Sequence, residues 1–360
     1  MPYDSTPKAT SPATDEARRQ LEICNACRYC EGYCDVFPAL TRLTEMEPGA
    51  ISHLASLCHN CRGCYYACQY TPPHEFAVNL PAALAEVRQK DWEDYAWPQP
   101  VARLFHRSGL ALAAALIAGF AALIAAIAAL RPESGEGFYA TLSHNAMVAI
   151  FAPAFLLPLI AVSISLRAWW SAIGGGRVGL ADITRAAQAA GRGRNLDGGQ
   201  GQGCNFEQAD RFSNARRHAH LATLWGFMMC FAATSVATLM HYGMNWPAPY
   251  GFWTPPKLLG VPGGILLCLG SGALMALKLR ADPALGATRV WGGEMGFTAL
   301  LFFVSASGLV LYAATGTAAV PALLAVHLGA VLAFFLLIPY SKMVHGFYRF
   351  AALMADRRGA

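Results

Sequence analysis

Residues 109–130 read GLALAAALIAGFAALIAAIAAL, a run without a single charged side chain. A helix needs about 20 apolar residues to cross the hydrocarbon of a bilayer, and a soluble core helix does not run so long without charge. Five comparable runs follow, at about 145–168, 219–241, 262–280, 295–314 and 320–341. In lipid every backbone N–H and C=O must find its partner within the protein, which selects helices for such segments. The fourth run, VPGGILLCLGSGALMALKLR, is rich in glycine, and glycine lets membrane helices approach closely. The chain as a whole is 55% hydrophobic and only 14% charged, too apolar for an ordinary soluble protein.

The placement of positive charge sets an orientation. With a cytoplasmic N-terminus, all 27 Lys and Arg except Arg131 and Lys257 fall on the cytoplasmic side. That distribution follows the positive-inside bias and favours an even number of crossings. It predicts a multi-pass membrane protein with both termini in the cytoplasm. No segment has the dense basic and aromatic pattern of a nucleic-acid surface. The opening MPYDSTPKATSPATDEARRQ contains no apolar signal core and reads as a disordered tail over 1–20.

Before residue 108 the chain is of mixed polarity and carries CNACRYCEGYC (24–34) and CHNCRGCYYAC (58–68), which together hold eight of the 11 cysteines. The twice-written Cys-x2-Cys-x2-Cys-x3-Cys suits two [4Fe–4S] clusters, in a scheme where the fourth cysteine of each run serves the other cluster. One cluster is then expected on Cys24, Cys27, Cys30 and Cys68, and the other on Cys58, Cys61, Cys64 and Cys34. Disulfides suit secreted scaffolds rather than a reducing cytoplasm. Zinc sites use paired Cys-x2-Cys units and leave the third close cysteine without a task. Asp35 and Gln69 stand where a proline often follows the fourth cysteine, with Pro38 and Pro72 slightly later. The spacing of ALTRLTEMEPGAISHLASL between the motifs predicts helices, hence a helical ferredoxin-like domain over 21–108. Cys204, Cys230 and Cys268 read as isolated buried or loop thiols.

Histidine inside a bilayer is costly without a partner or a task, and imidazole is an axial ligand of haem iron. His327 lies within the sixth run and His345 lies 18 residues on, five turns and about 27 Å along one helix face. His220 and His241 mark the two ends of the third run. Two levels of b-type haem ligation are therefore expected: His241 with His327 at the outer side and His220 with His345 at the inner side. His144 is an alternative to His241, and His218 to His220; His106 reads as interfacial. Each terminal histidine is also at home in the membrane interface, so one haem or two remain open. The aromatic stretch YGMNWPAPYGFWTPP (242–256) fits either an interfacial belt or an outer quinone site, and an inner quinone site is equally compatible.

The resulting fold class is all-α: a helical two-cluster head, then a six-helix haem-binding bundle over 109–345. A mobile Gly/Arg-rich loop is expected at 169–217 and a cytoplasmic tail at 346–360. The GGQGQG in that loop lacks the strand and helix that a nucleotide-binding turn would need.

The stretches CHNCRGCYYACQYTPPHEFAVNLP (58–81), CFAATSVATLMHYGMNWPAPY (230–250) and HGFYRFAALM (345–354) together resemble the tricarballylate/citrate utilization B proteins. The likeness covers nearly all of the chain after residue 20. It implies an electron-transfer subunit of an oxidoreductase that reoxidises a separate FAD-dependent dehydrogenase and passes electrons through iron–sulfur clusters and haem to the membrane quinone pool, in the bacterial inner membrane. No flavin or nicotinamide fingerprint is present, so substrate oxidation is expected on that partner flavoprotein. A self-contained redox sensor or the reductase subunit of another complex is the alternative. A transporter is disfavoured because no carboxylate sits mid-span; Glu294 stands only at a helix start.

Overall fold

The structure is a computed structural model that describes residues 11–130, 139, 141–196, 198, 201–204 and 211–356. It is all-helical among the described residues, with one isolated antiparallel bridge between Cys204 and Ser213.

The head begins with α1 (Pro12–Cys27). Ser11 caps it, accepting from the Thr14 N–H at 3.2 Å, and Pro12 occupies the first turn. Both are helix-start signals, and they lie inside the stretch expected to be a disordered tail. The tail assignment therefore fails for residues 12–20. The short α2 (Val36–Thr41), α3 (Pro48–Leu57), α4 (Gly63–Tyr66) and α5 (Leu80–Asp94) complete the head. Its core gathers Leu21, Leu40, Ile51, Leu54 and Leu84, all essentially inaccessible to solvent.

Six longer helices form the bundle: α6 (Gln99–Leu130), α7 (His144–Ala172), then, after α8 (Leu180–Gly191), α9 (Ala215–Gly243), α10 (Pro255–Arg280), α11 (Thr288–Ala313) and α12 (Val320–Leu337). All six, α8 not being among them, are long and apolar enough to cross a membrane, which makes this a multi-pass membrane protein. α6 is interrupted at Ser108, whose φ of −142° and ψ of 33° are non-helical. That residue is the boundary between mixed and wholly apolar sequence. Outward-facing Leu110, Leu130, Leu157, Leu239 and Leu269 are more than half exposed, as lipid-facing side chains would be.

Glycines set the helix spacing. A Cβ on Gly226 of α9 would lie 2.4 Å from the Leu267 nitrogen of α10, and one on Gly329 of α12 would lie 2.7 Å from the Ala121 nitrogen of α6. Backbones in such contact have no room for a side chain.

The last helix, α13 (Val344–Asp356), belongs to the head's core instead of forming a tail. Tyr348 and Ala352 are buried there beside Trp169 from the end of α7. Trp169 Nε1 donates to Ser52 Oγ at 2.7 Å, and Ser52 donates to Asp91 at 2.7 Å, so bundle and head share a buried polar chain. The expected mobile loop is also anchored where it is described. α8 lies within it and buries Ala186 in the head's core.

Candidate metal centres at the junction of head and bundle

α1 carries Cys24 and Cys27 on its last turn and ends as Arg28 turns left-handed, with φ 56° and its N–H on the Cys24 carbonyl at 2.8 Å. Arg62, the equivalent residue of the second motif, has φ 63° and ψ 0°. Each motif thus reverses direction directly after its second cysteine. Non-glycine residues adopt this conformation at a cost of about 1 kcal/mol or more, borne where the surroundings impose it.

The two reversals wrap the thiols around two cavities. Cys24, Cys27, Cys30 and Cys68 line a cavity of about 300 Å³. Cys34, Cys58, Cys61 and Cys64 line a second, much narrower one of about 20 Å³. Cys64 also reaches the wall of the first. Each cavity combines three closely spaced cysteines of one motif with the last cysteine of the other.

The donor set fits a polynuclear sulfur-ligated centre. Burial, then the neighbouring Cys30, Cys68 and Cys27, pushes the Cys24 thiol up to about 12. Burial likewise pushes Cys30 up to about 12 and holds Cys34 and Cys64 well above their ordinary value. Such crowded thiols are poor thiolates alone; a bound cation reverses that penalty. Backbone N–H groups already point at sulfur, Asn60 at Cys58 and Tyr70 at Cys68, both 3.4 Å away. Among the described residues no three potential ligands converge tightly enough for a single metal ion. The sulfurs instead surround a larger hollow in the first case, whereas a cube in the second requires its walls to move apart.

The second cavity faces the bundle and is ringed by cations. Arg349 of α13 donates through Nε to the Ser56 carbonyl at 3.2 Å and through Nη2 to the Cys58 carbonyl. Arg88 Nη1 donates to the Ala55 and Cys58 carbonyls, both at 2.9 Å, and Arg216 Nη1 to the Asn60 carbonyl at 2.8 Å. Arg62 reaches across to the Asp282 carbonyl at 3.0 Å. The first cavity lies nearer solvent: Cys27 is exposed and Tyr29 is 70% exposed.

Cys204 is not isolated. Its thiol donates to the Leu196 carbonyl at 3.2 Å, and the neighbouring Cys204 thiol, then burial, holds Cys61 well above its ordinary value. Sequence reasoning missed it; the only signal was the glycine-rich approach to it.

The histidines separate into two ends: His220 lies beside His345, whereas at the far end His241 lies beside His144 and not beside His327. His220 of α9 and His345 of α13 face each other with ring centres 6.2 Å apart and planes at 83°. The helical ruler that set His327 and His345 on one face of a single helix does not apply. α12 stops at Leu337, ahead of Pro339, and α13 starts afresh at Val344. At the far end His241 stacks on His144 at 4.1 Å, and His144 Nε2 lies 2.8 Å from the Tyr242 hydroxyl. His327 instead meets α11, its Nδ1 3.0 Å from Ser307 Oγ and its ring beneath Gly308. His106 is buried beside Trp92, their rings stacked at 6.3 Å.

A metal-bound imidazole nitrogen sits about 2 Å from the metal and roughly 1 Å from its own ring centre, so two axial rings stand about 6 Å apart. His220 and His345 meet that spacing, while His144 and His241 as stacked do not. Nδ1 of His220 is buried without a hydrogen-bond partner. Burial, then the Arg349 and Lys342 cations, holds His345 far below its ordinary pKa, in the neutral form that binds metal. Nearby, Glu294 pairs with Lys278 and, at 2.7 Å, with Lys342, joining α10, α11 and the turn before α13.

Comparison with known proteins agrees with this architecture. Residues 17–94 match the model of the citrate utilization protein B Fer4-like domain, and residues 101–359 match that of citrate utilization protein B itself. The chain is 42% identical over 346 residues to citrate utilization protein B of Escherichia coli, covering 94% of this chain and 90% of that protein. No solved structure matches it. A ferredoxin-like head on a membrane bundle gives an electron-transfer role, and the chain belongs to the citrate utilization protein B family.

Proposed function

We propose that this protein carries electrons from a separate FAD-dependent dehydrogenase of the tricarballylate or citrate type to the membrane quinone pool. Two [4Fe–4S] clusters would be held by Cys24, Cys27, Cys30 and Cys68 and by Cys34, Cys58, Cys61 and Cys64. Haem b would be held by His220 and His345. When bound, these groups supply one-electron transfer between a two-electron donor and quinone.

The observation that carries this proposal is the pair of cysteine-lined cavities, each drawing cysteines from both motifs. Their order gives a direction. Exposed Cys27 and Tyr29 leave the first cavity accessible to a soluble partner, whereas the second is braced by Arg216 and Arg349, which stand four residues from His220 and His345 on their helices. Arg88, Arg216 and Arg349 place positive charge around the second site, which favours its more negative, reduced state. The same Arg349 and Arg216, with Lys342, offer counter-charges to haem propionates. A second haem at the far end would draw on His327, His241 and His144, and there the stacked His144 and His241 rings must part. The head and α13 belong to the cytoplasmic side of the bacterial inner membrane, where the basic residues concentrate.

Iron and acid-labile sulfide analysis with electron paramagnetic resonance tests the ligand sets. Cys24→Ser is expected to remove the first cluster's signal and Cys58→Ser the second's, each sparing the other. Full content of both clusters in both variants refutes the assignment.

A further inference from the structure

The second thiol cavity has a wall that neither cysteine motif supplies. A 3-10 turn at Arg194–Leu196 follows α8, and Asn195 of that turn lines the cavity. Arg194 Nη2 and Asn195 Nδ2 grip the two carboxylate oxygens of Asp35, at 2.5 and 2.7 Å. Asp35 directly follows Cys34, one of the cavity's four cysteines. From the same loop, Cys204 brings its buried thiol against Cys61, another of the four.

This wall is built with care for where Cys204 sits. The Cys204 N–H donates to the Ser213 carbonyl at 2.9 Å and the Ser213 N–H to the Cys204 carbonyl at 3.0 Å. Gly203 has φ +101°, and a Cβ there would lie 2.2 Å from the Ser213 oxygen; Gly198 has φ +75°, and its Cβ would lie 2.0 Å from the Gly203 oxygen. The glycines that resembled a nucleotide-binding turn are therefore what this closure needs.

We infer that this loop sets the reduction potential of the second cluster, Cys204 acting through the Cys61 sulfur and Arg194 with Asn195 acting through Asp35. The inference rests on the cluster assignment proposed above. Cluster potentials respond to hydrogen bonds on the ligand sulfurs, to local charge and to solvent exposure. The Cys204 S–H has the Leu196 carbonyl within 3.2 Å. A cluster-bound Cys61 is an anionic acceptor and competes for that proton, since hydrogen bonds to charged acceptors are the stronger ones. A donor there stabilises the more negative, reduced cluster and raises its potential. The Asp35 carboxylate does the opposite, and Arg194 offsets it. These four are positioning residues; none contacts a reacting group.

The test is a redox titration of the two cluster signals by electron paramagnetic resonance, on the full-length protein in detergent with its iron content verified. Cys204→Ala is expected to shift the second cluster to lower potential and leave the first unmoved, and Cys204→Ser, which keeps a donor, to recover most of the shift. Arg194→Ala is expected to lower the same potential, and adding Asp35→Asn to reverse that. Unchanged midpoints in Cys204→Ala and Arg194→Ala at full iron content overturn the inference while leaving the clusters in place. Loss of the second cluster's iron in both Cys204 variants also overturns it, since that makes Cys204 a ligand. A wild-type protein with only one cluster signal removes the cluster assignment itself, and this inference with it.

Discussion

Arg349 of the last helix donates to the backbone carbonyl of Cys58, the first cysteine of the second motif. The same guanidinium holds the Ser56 carbonyl at 3.2 Å. The C-terminal helix is thus part of the scaffold that shapes a site near the other end of the chain.

Arg349→Met keeps the apolar stem and removes these donors. Cys58 retains Arg88, while the Ser56 carbonyl loses its side-chain donor. The expected cost is about 1–3 kcal/mol of head stability. Thermal unfolding followed by far-UV circular dichroism measures it, and the second cluster's signal should be lost at a lower temperature than the first's. Unfolding unchanged from wild type would show that α13 does not support the head.

The six long apolar helices were legible because a long uncharged run permits few alternatives, and the gathering of eight cysteines because their spacing repeats. What escaped was set by long-range packing or by signals outweighed by composition. Ser11 and Pro12 announce a helix inside a stretch whose Pro, Ser and Thr content suggested disorder. Pro339 ends α12, yet the apolar run continues past it, so one helix was expected where the chain turns between Leu337 and Val344. The contact of His345 with His220 does not depend on that helix, because both residues flank the head. The pairing of His241 with His144 depends on how α7 meets α9, which periodicity does not encode. Cys204 lies far in sequence from both motifs, and the closure of the loop onto Asp35 carries it to the second cavity.

His53 gives the head a pH dependence. Its Nε2 lies 3.0 Å from the Ala352 carbonyl, tying α3 to α13, and burial holds its pKa below the ordinary value. The unfolded chain, with an ordinary histidine, takes up the proton first as pH falls. This contribution to stability is therefore complete above about pH 6.5 and declines below it. The unfolding midpoint of the wild type should drop more between pH 7 and 5 than that of His53→Gln, whose amide can still donate to Ala352. Parallel pH profiles in the two proteins would contradict this.

Two glycines of the bundle should respond to alanine in opposite directions. A Cβ at Gly226 meets the Leu267 nitrogen at 2.4 Å and the Gly263 oxygen at 2.8 Å, so α9 and α10 must separate. Overpacking of this kind costs about 1–3 kcal/mol. A Cβ at Gly119 in α6 meets nothing within 4 Å. Alanine there should be neutral or stabilise by about 0.5–1 kcal/mol, through its better helix propensity. Thermal midpoints in detergent distinguish the two, and equal midpoints would mean that α9 and α10 are not in backbone contact.

The haem proposal is sharpest at the His220–His345 pair, because 6.2 Å between ring centres is the separation a metal between two imidazoles requires. His345→Ala and His220→Ala should each abolish one b-type signal in the reduced-minus-oxidised spectrum, and both should keep the iron–sulfur signals. Reduction of any remaining haem by a chemically reduced head should slow in both variants, since the pair stands beside the cation-ringed second cavity. His327→Ala probes the far end separately. Its Nδ1 lies 3.0 Å from Ser307 Oγ, a contact that holds the ring in one orientation. If His327 is a ligand, a different haem signal should disappear and Ser307→Ala should shift that signal without removing it. If His327→Ala leaves the spectrum intact while His144→Ala or His241→Ala alters it, the far haem belongs to those two rings. A spectrum unchanged by His220→Ala and His345→Ala would reject the pair as a haem site, and a titration with a single component would confine haem to one end of the bundle.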